Sequence, residues 1–461
     1  MQFHLGKPIL VMLVVSLASA AIIARRAGPK PAELDLWVFA DAHYKAIEPL
    51  CKKYEQMHGV RVNLSIVTMR AMNVRLGSLF MTNPTSDDLP DLVELEIGSI
   101  GRYFRAPKED VGFLPLDDYL HKSGWYDRIL EQRYAPWTKE GTVFGVPHDV
   151  HPTTITYRHD LFWGVERPDG TIDGPRIDLP SAKTWPEFQE KCLQFRDYWK
   201  GRVDYRHAIE LPEAAVDYLM VMLLQRGINL VDDYNHIHLT NPKVANTVAF
   251  YAQLVVGPRK IGGQSTGGTG AFAKDLNDGA ICSFITPDWR VTYIKRWSPA
   301  LSGKMRMMPM PVFESGDPRT GTWGGTMIGI TRACKNPDEA WRFIEYIYFS
   351  QDGLDSRRNA SDVLPPVKEL WNDPAYHLPD PYFGGQMANE LFIDLARELP
   401  KRYVTPASGI AQGELTSVLN KATEYIRERG TTEGLEAQCQ LWLDASAARL
   451  QARMDHWRFD E

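Results

Sequence analysis

Apolar and polar positions alternate and recur in a way that divides the early chain cleanly. Residues 34–40, LDLWVFA, put Leu34, Leu36 and Val38 on one face and Trp37 and Phe39 on the other, the pattern of a strand. Residues 43–58 carry Ile47, Leu50, Cys51 and Tyr54 at helical spacing, and Gly59 is placed to stop that helix. A second strand is predicted over 60–68, a second helix over 71–80, and a third strand over 91–96 that ends in the acidic pair Glu94 and Glu96. Strand, helix, strand, helix, strand is the order of an open parallel sheet. Ligands of such sheets bind beyond the carboxyl ends of the strands, which makes Phe39, Asp41, Glu96 and His148 candidates.

The segment 145–162, GVPHDVHPTTITYRHDLF, is the pivot of the chain. Pro147 and Pro152 hold a loop extended, and Thr154, Ile155, Thr156 and Tyr157 suit a buried strand. His148, Asp149 and His151 therefore stand just before a rigid element. They fit either a ligand-contacting passage between two lobes or a polar loop with a structural His and an Asp cap. Beyond it, 167–180 is rich in Gly, Pro and Asp and is expected to be an excursion loop. Residues 184–199 form a helix with Thr184 as N-cap and Glu187 at the third helical position. Helices are expected over 214–226 and 242–254, and a strand over 280–285 leads straight into Asp288 and Trp289. Further strands are expected over 305–311 and 322–331, the latter with Gly324 and Gly325 side by side. Paired glycines let backbone approach a ligand or another chain closely. A helix follows over 338–349, and the remainder is mostly helical, with a last helix in 431–461. The stretch 262–270, GGQSTGGTG, lacks the Lys-Ser/Thr ending of a phosphate loop and is expected to be a flexible loop.

Length of 461 residues implies more than one domain. The net charge of -6, with no basic block, argues against nucleic acid as a partner. Many of the 13 Trp and 19 Tyr are expected in the core, and a surplus of flat rings also suits stacking on sugar or base faces. At the N-terminus, Lys7 precedes an apolar run over 9–23 that contains Ala18-Ser19-Ala20, the anatomy of a secretory signal peptide. The run is short against the roughly 17–25 residues of a membrane span, although Ile22 and Ile23 leave an uncleaved anchor open. Either way the body lies outside the cytoplasmic membrane. The five cysteines show no metal-binding spacing and no evident pairing, and neither a metal nor a cofactor is called for.

Taken in order, these pieces resemble the extracellular solute-binding proteins of ABC importers, in the carbohydrate-binding branch related to maltose-binding protein. The resemblance runs over about 34–403. It is carried by LDLWVFA, by the helix containing Pro49 and Tyr54, and by GVPHDVHPTTITYRHDLF. It continues through Thr184-Trp185-Pro186-Glu187-Phe188, and through Asn277-Asp278-Gly279-Ala280 with Asp288-Trp289. Thr322-Trp323-Gly324-Gly325 with Ile328-Gly329-Ile330 and the helix start at Asn336-Pro337-Asp338-Glu339-Ala340-Trp341 complete it. Each motif alone is weak; their order is specific. The lipidated Cys common in Gram-positive members is absent, and the family often has Trp or Tyr where His148 stands.

The resemblance implies an α/β protein of two lobes with a ligand cleft between them. It implies a signal or anchor at 1–30, lobe one from 34–150 plus 314–362, and lobe two from 151–313 plus 363–461. It further implies a monomeric receptor that binds a sugar and delivers it to a membrane permease, with no chemistry of its own. The matched cleft positions are Phe39, Asp41, Glu96, His148, Asp149, Asp288, Trp289, Trp323, Gly324, Gly325 and Gln386. Trp289 and Trp323 would stack on sugar faces, and Asp149, Asp288 and Gln386 would meet hydroxyls. Trp185 and Trp341 are assigned to the core. Two other functions compete. Asp149 with Asp288 could serve as acid and base of a secreted glycoside hydrolase. Arg290 keeps open a receptor for an anionic solute such as glycerol phosphate, and a polyamine is a further possibility of the same fold. His148 and His151 beside Asp149 suggest pH-sensitive recognition.

Overall fold

The computed structural model describes residues 33–265 and 269–459, together with Met12. Apart from Met12, the expected N-terminal signal or anchor lies outside the described residues. Among these, no helix is long and apolar enough to cross a membrane.

The first lobe is built on a five-stranded sheet. Strand β1 (Leu34–Val38) buries Leu34, Leu36 and Val38, as its alternation requires. Helix α1 (Asp41–His58) packs Ile47, Leu50 and Tyr54 against it and ends at Gly59, whose φ of 71° is the left-handed cap. Strand β2 (Val62–Ile66), helix α2 (Met69–Thr82) and strand β3 (Leu92–Glu96) follow. Both β2 and β3 pair in parallel with β1. The sheet is not wholly parallel, however. Strand β4 (Val146–Pro147) and the late strand β10 (Thr326–Ile330) complete the order β2-β1-β3-β10-β4, and β10 runs antiparallel to both neighbours. Just before β4 the chain passes Gly145, where a Cβ would collide with the Met327 side chain.

Register explains what this sheet presents. Glu96, at the end of β3, lies opposite Thr326, at the start of β10, and Pro147 leaves β4 opposite Met327. One sheet edge therefore carries Phe39, Glu96, Gly325 and His148, contributed by four separate strand ends.

The second lobe holds a three-stranded antiparallel sheet. Its middle strand β5 (Thr153–Arg158) is buried throughout. Helix α3 (Trp185–Trp199) begins with the reciprocal Thr184–Glu187 capping box. It is followed by a short β6 (Ile209–Glu210), helices α4 (Val216–Gln225) and α5 (Pro242–Val255), and β7 (Gly262–Gly263), which pairs in parallel with β6. Strands β8 (Ser283–Pro287) and β9 (Met305–Pro309) flank β5. Pro287 faces Thr153 and Pro309 faces Thr154, so the end of β8, the end of β9 and the start of β5 share one edge. Helix α6 (Asp288–Trp297) starts directly there.

The chain passes between the sheets at 148–152, at 310–325, and again around 361–366 after helices α7 (Pro337–Phe349) and α8 (Gln351–Ala360). Helix α8 carries few apolar residues and was not evident in the sequence; it is capped by Ser350 and packs on α1. Helices α9 (Ala388–Ala396), α10 (Ser408–Arg429) and α11 (Leu435–Phe459) finish the chain. Leu415 and Leu450, from α10 and α11, join the core of β5, α3, α4 and α5. Val404 instead enters a core with Phe104, Phe113 and Met327 of the first lobe. Trp185 and Trp341 are both buried, and all five cysteines are buried and unpaired.

Candidate functional site

The two sheet edges face each other across the three passages. Beneath the cleft lies a line of buried charge. Asp149 is fully buried and receives hydrogen bonds from Arg133 (3.0 Å), from the Thr326 backbone N–H (3.1 Å) and from His148 Nδ1 (3.3 Å). On its other side stands His151, whose Nε2 is 2.9 Å from Asp149 Oδ2 and whose Nδ1 meets Asp288 Oδ1. Both ring nitrogens thus face carboxylate oxygens, which demands two N–H donors and an imidazolium. Burial alone would lower the His151 pKa; the two carboxylates outweigh it and raise it to about 9. Asp149 in turn is held well below the carboxylate range, because its cationic partners and hydrogen bonds overcome its burial.

This quartet of Arg133, Asp149, His151 and Asp288 ties the three passages together. Arg133 also bonds the Asp149 carbonyl (2.8 Å) and Thr322 Oγ1 (3.2 Å), so it clamps the first passage to the second. Asp288 Oδ2 accepts the Leu364 N–H at 2.8 Å, which fastens the third. His151 itself has φ of 58°, beside Gly324 (93°) and Gly325 (150°) in the second passage. Left-handed backbone in adjacent strands of a crossing is suited to a hinge.

His148 behaves oppositely. Its ring packs 4.6 Å from His43 and 5.0 Å from Tyr348. Burial, followed by the Arg357 charge, pushes its pKa down to about 4, so it is neutral. Behind it, the buried Glu94 receives Tyr348 Oη (2.7 Å) and pairs with His43 Nδ1 (2.7 Å).

Above this floor are two adjoining chambers. The first, about 420 Å³, is lined among others by Phe39, Glu96, Asp217, Trp289, Trp323 and Arg402. The second, about 520 Å³, includes Glu210, Tyr218, Phe272, Arg290 and Trp297. Trp289, Tyr293 and Trp323 line both. Their arrangement is fixed. Trp289 Nε1 donates to the Trp323 carbonyl at 3.0 Å, and the two rings meet edge-on at 6.1 Å. Trp323 packs edge-on to Tyr218 at 4.7 Å, and Tyr293 stacks on Trp297 at 4.8 Å. Glu210 Oε2 accepts from Tyr218 Oη (2.7 Å) and pairs with Arg290 (2.5 Å). The Arg290 guanidinium lies over Phe272 and Phe284. Volumes of this size suit small-molecule ligands.

The pattern of the family described as bacterial extracellular solute-binding protein matches residues 49–378. The chain belongs to that family. This solute-binding protein is 22% identical over 374 residues to an arabinooligosaccharide-binding protein of Halalkalibacterium halodurans, covering 80% of this chain and 79% of the relative. It is 23% identical over 322 residues to a lactose-binding protein of Rhizobium radiobacter, covering 68% and 70%. The sugar-binding protein MalE from Xanthomonas citri shares its fold with a TM-score of 0.68 at 20% identity, over 93% of this chain and 99% of the other. A binding protein from B. animalis subsp. lactis in complex with beta-1,6-galactobiose does so with a TM-score of 0.63 at 20% identity, over 87% and 98%. The solute-binding protein is therefore an α/β molecule of two lobes with an intervening cleft.

Of the positions expected at its cleft, Phe39, Glu96, Trp289, Trp323, Gly324 and Gly325 line the first chamber. The others stand elsewhere. Asp149 and Asp288 are fully buried in the charged quartet and His148 is 5% exposed beside it; each is turned into the protein by its partners. Asp41 is exposed in the first turn of α1 and pairs with Lys45. Gln386 spends its amide on both backbone groups of Met307 in β9. Arg290 is occupied by Glu210. Unforeseen cleft residues are Tyr293, Glu210, Tyr218, Asp217 and Arg402. Only Tyr293 carried a signal, since it lies one helical turn after Trp289.

Proposed function

We propose that this protein is the extracytoplasmic receptor of an ABC importer, holding a neutral oligosaccharide of two or more rings between its lobes and presenting it to a membrane permease. The observation that carries this reading is the row of aromatic rings spanning two chambers, with hydrogen-bonding carboxylates on either side. Aromatic planes take the CH faces of sugar rings, and fixed carboxylates take the hydroxyls. One chamber would hold one end of the chain and the next chamber the other. The relatives named for arabinooligosaccharide and lactose support the same ligand class.

On this reading lobe one comprises 34–150 plus 314–362 and lobe two 151–313 plus 363–461, and the protein works as an exported monomer, led or held by residues 1–30. The sugar-contacting residues are Phe39, Glu96, Trp289, Trp323, Gly324 and Gly325, joined by Tyr293. Closure is the signal to the permease, and no bond in the ligand is broken. The carboxylate pair available for hydrolysis, Asp149 with Asp288, clasps His151 from both sides and has no face toward a glycoside.

The test is to express residues 32–461 and follow tryptophan fluorescence and melting against arabinose oligomers, lactose, β-1,6-galactobiose and maltotriose. A ligand at 100 times its dissociation constant should stabilise by about 2.7 kcal/mol. A shift with an oligosaccharide that is recovered intact supports the receptor. Consumption of the sugar would favour a hydrolase, and silence to all sugars with a shift for glycerol phosphate or a polyamine would replace the ligand class.

A further inference from the structure

Three charged side chains face the first chamber without satisfying one another. Glu96 closes β3; its Oε2 accepts the Gly98 N–H at 2.7 Å, and among the described residues Oε1 has no hydrogen-bond partner. Asp217 stands opposite, exposed in the first turn of α4 in the second lobe. Arg402 lies on the segment that carries Val404 into the first-lobe core, and it lines the same chamber. Both carboxylates act on Arg402 through their charge, yet among the described residues it forms no hydrogen bond or ion pair with either. The segment bearing Arg402 is firmly held. Lys401 pairs with Glu131 (2.6 Å), Asn229 bonds Tyr403 N (2.9 Å), and the Thr405 carbonyl sits against Gly101 so closely that a Cβ there would collide.

A guanidinium donates through a rigid planar fork, and carboxylates only accept. A sugar hydroxyl both donates and accepts, so adjacent hydroxyls can fill the space between Arg402 and the two acids and satisfy all three. A ligand carboxylate cannot. It would meet two acids and one already compensated guanidinium.

We propose that Glu96, Asp217 and Arg402 form the end subsite of the cleft, where groups from both lobes read the hydroxyls of a neutral terminal sugar and reject a sugar acid. This assignment rests on the oligosaccharide reading above. It makes Arg402 and Asp217 determinants of specificity and makes closure depend on the ligand's end group.

The experiment is calorimetric titration of the wild type, Arg402→Gln and Asp217→Asn with lactose, β-1,6-galactobiose, arabinotriose, maltotriose and digalacturonate. The best neutral ligand should bind Arg402→Gln at least about tenfold more weakly, the loss expected for hydrogen bonds to a charged group. Digalacturonate should bind the wild type at least about tenfold more weakly than that neutral sugar, the scale of one unfavourable charged contact. Unliganded melting temperatures should match. If Arg402→Gln melts early, Asp217→Asn on its exposed helical turn decides, with a severalfold loss expected. Unchanged affinity in both variants, or digalacturonate as the preferred ligand, would overturn the assignment. A wild type silent to every sugar would overturn the receptor reading and this subsite with it.

Discussion

The floor of the cleft and its walls are both rich in aromatic and charged residues, but they solve opposite problems. Beneath the cleft, Arg133, Asp149, His151 and Asp288 are fully paired, with two positive and two negative groups in a buried crossing. In the walls, Trp289, Tyr293, Trp323 and Arg402 are half-buried, and among the described residues the guanidinium feels Glu96 and Asp217 through their charge without bonding to either. A paired, buried network stabilises one backbone arrangement, here that of the crossing. An unpaired, partly hydrated group is free to exchange water for ligand. Polar residues beside a binding motif therefore divide by saturation: saturated ones hold shape, and unsaturated ones recognise.

That division can be broken first at Asp149. Asp149→Ala strands Arg133 and His151 as buried charges and should cost about 3–5 kcal/mol in denaturant unfolding. A loss no greater than that of an ordinary surface substitution would mean that the quartet does not support the crossing.

The pH dependence sharpens the contrast within the floor itself. His151 has its pKa raised from 6.5 to about 9, so its contribution is complete below 6.5 and is lost as pH rises through 9. His148 has its pKa lowered from 6.5 to about 4, so its contribution is present above 6.5 and is lost as pH falls through 4. Melting temperature should decline on both sides of a maximum near 6.5. His151→Asn should flatten the limb between 6.5 and 9, by up to about 3 kcal/mol, while leaving the acid limb in place. Equal slopes in wild type and variant would remove His151 from the account.

The smallest effect on stability belongs to the wall. Trp289→Ala should weaken the best oligosaccharide by about 2 kcal/mol, as an aromatic anchor does, and destabilise the free protein less than Asp149→Ala. Undiminished affinity would shift the stacking role to Trp323 and Tyr293.

Much of this architecture was legible from local pattern. Alternation in LDLWVFA gave the correct faces of β1, the Thr184–Glu187 box marked the start of α3, and Gly59 marked the end of α1. Cleft residues at strand ends, such as Phe39 and Glu96, followed from the sheet rule. What escaped was non-local. The mixed sheet arises because β10 enters from far along the chain, and no early residue announces it. Asp149 resembles a ligand contact until Arg133 and Thr326 are brought to it, and Asp288 until His151 is. Arg402 lies in no motif; its segment's anchorage by Glu131, Asn229 and Gly101 directs it to the cleft.

The five cysteines bear on how the protein can be put to use. Each is buried, and burial pushes their thiols up, to about 12 for Cys51, Cys282, Cys334 and Cys439 and well above the ordinary range for Cys192. Thiolates, not thiols, react with alkylating dyes. A cysteine introduced at the exposed Arg296 of α6 will therefore take an environment-sensitive fluorophore selectively in the native protein. Without deleting a single native residue elsewhere, the chain becomes a reagentless optical sensor for whatever solute it binds.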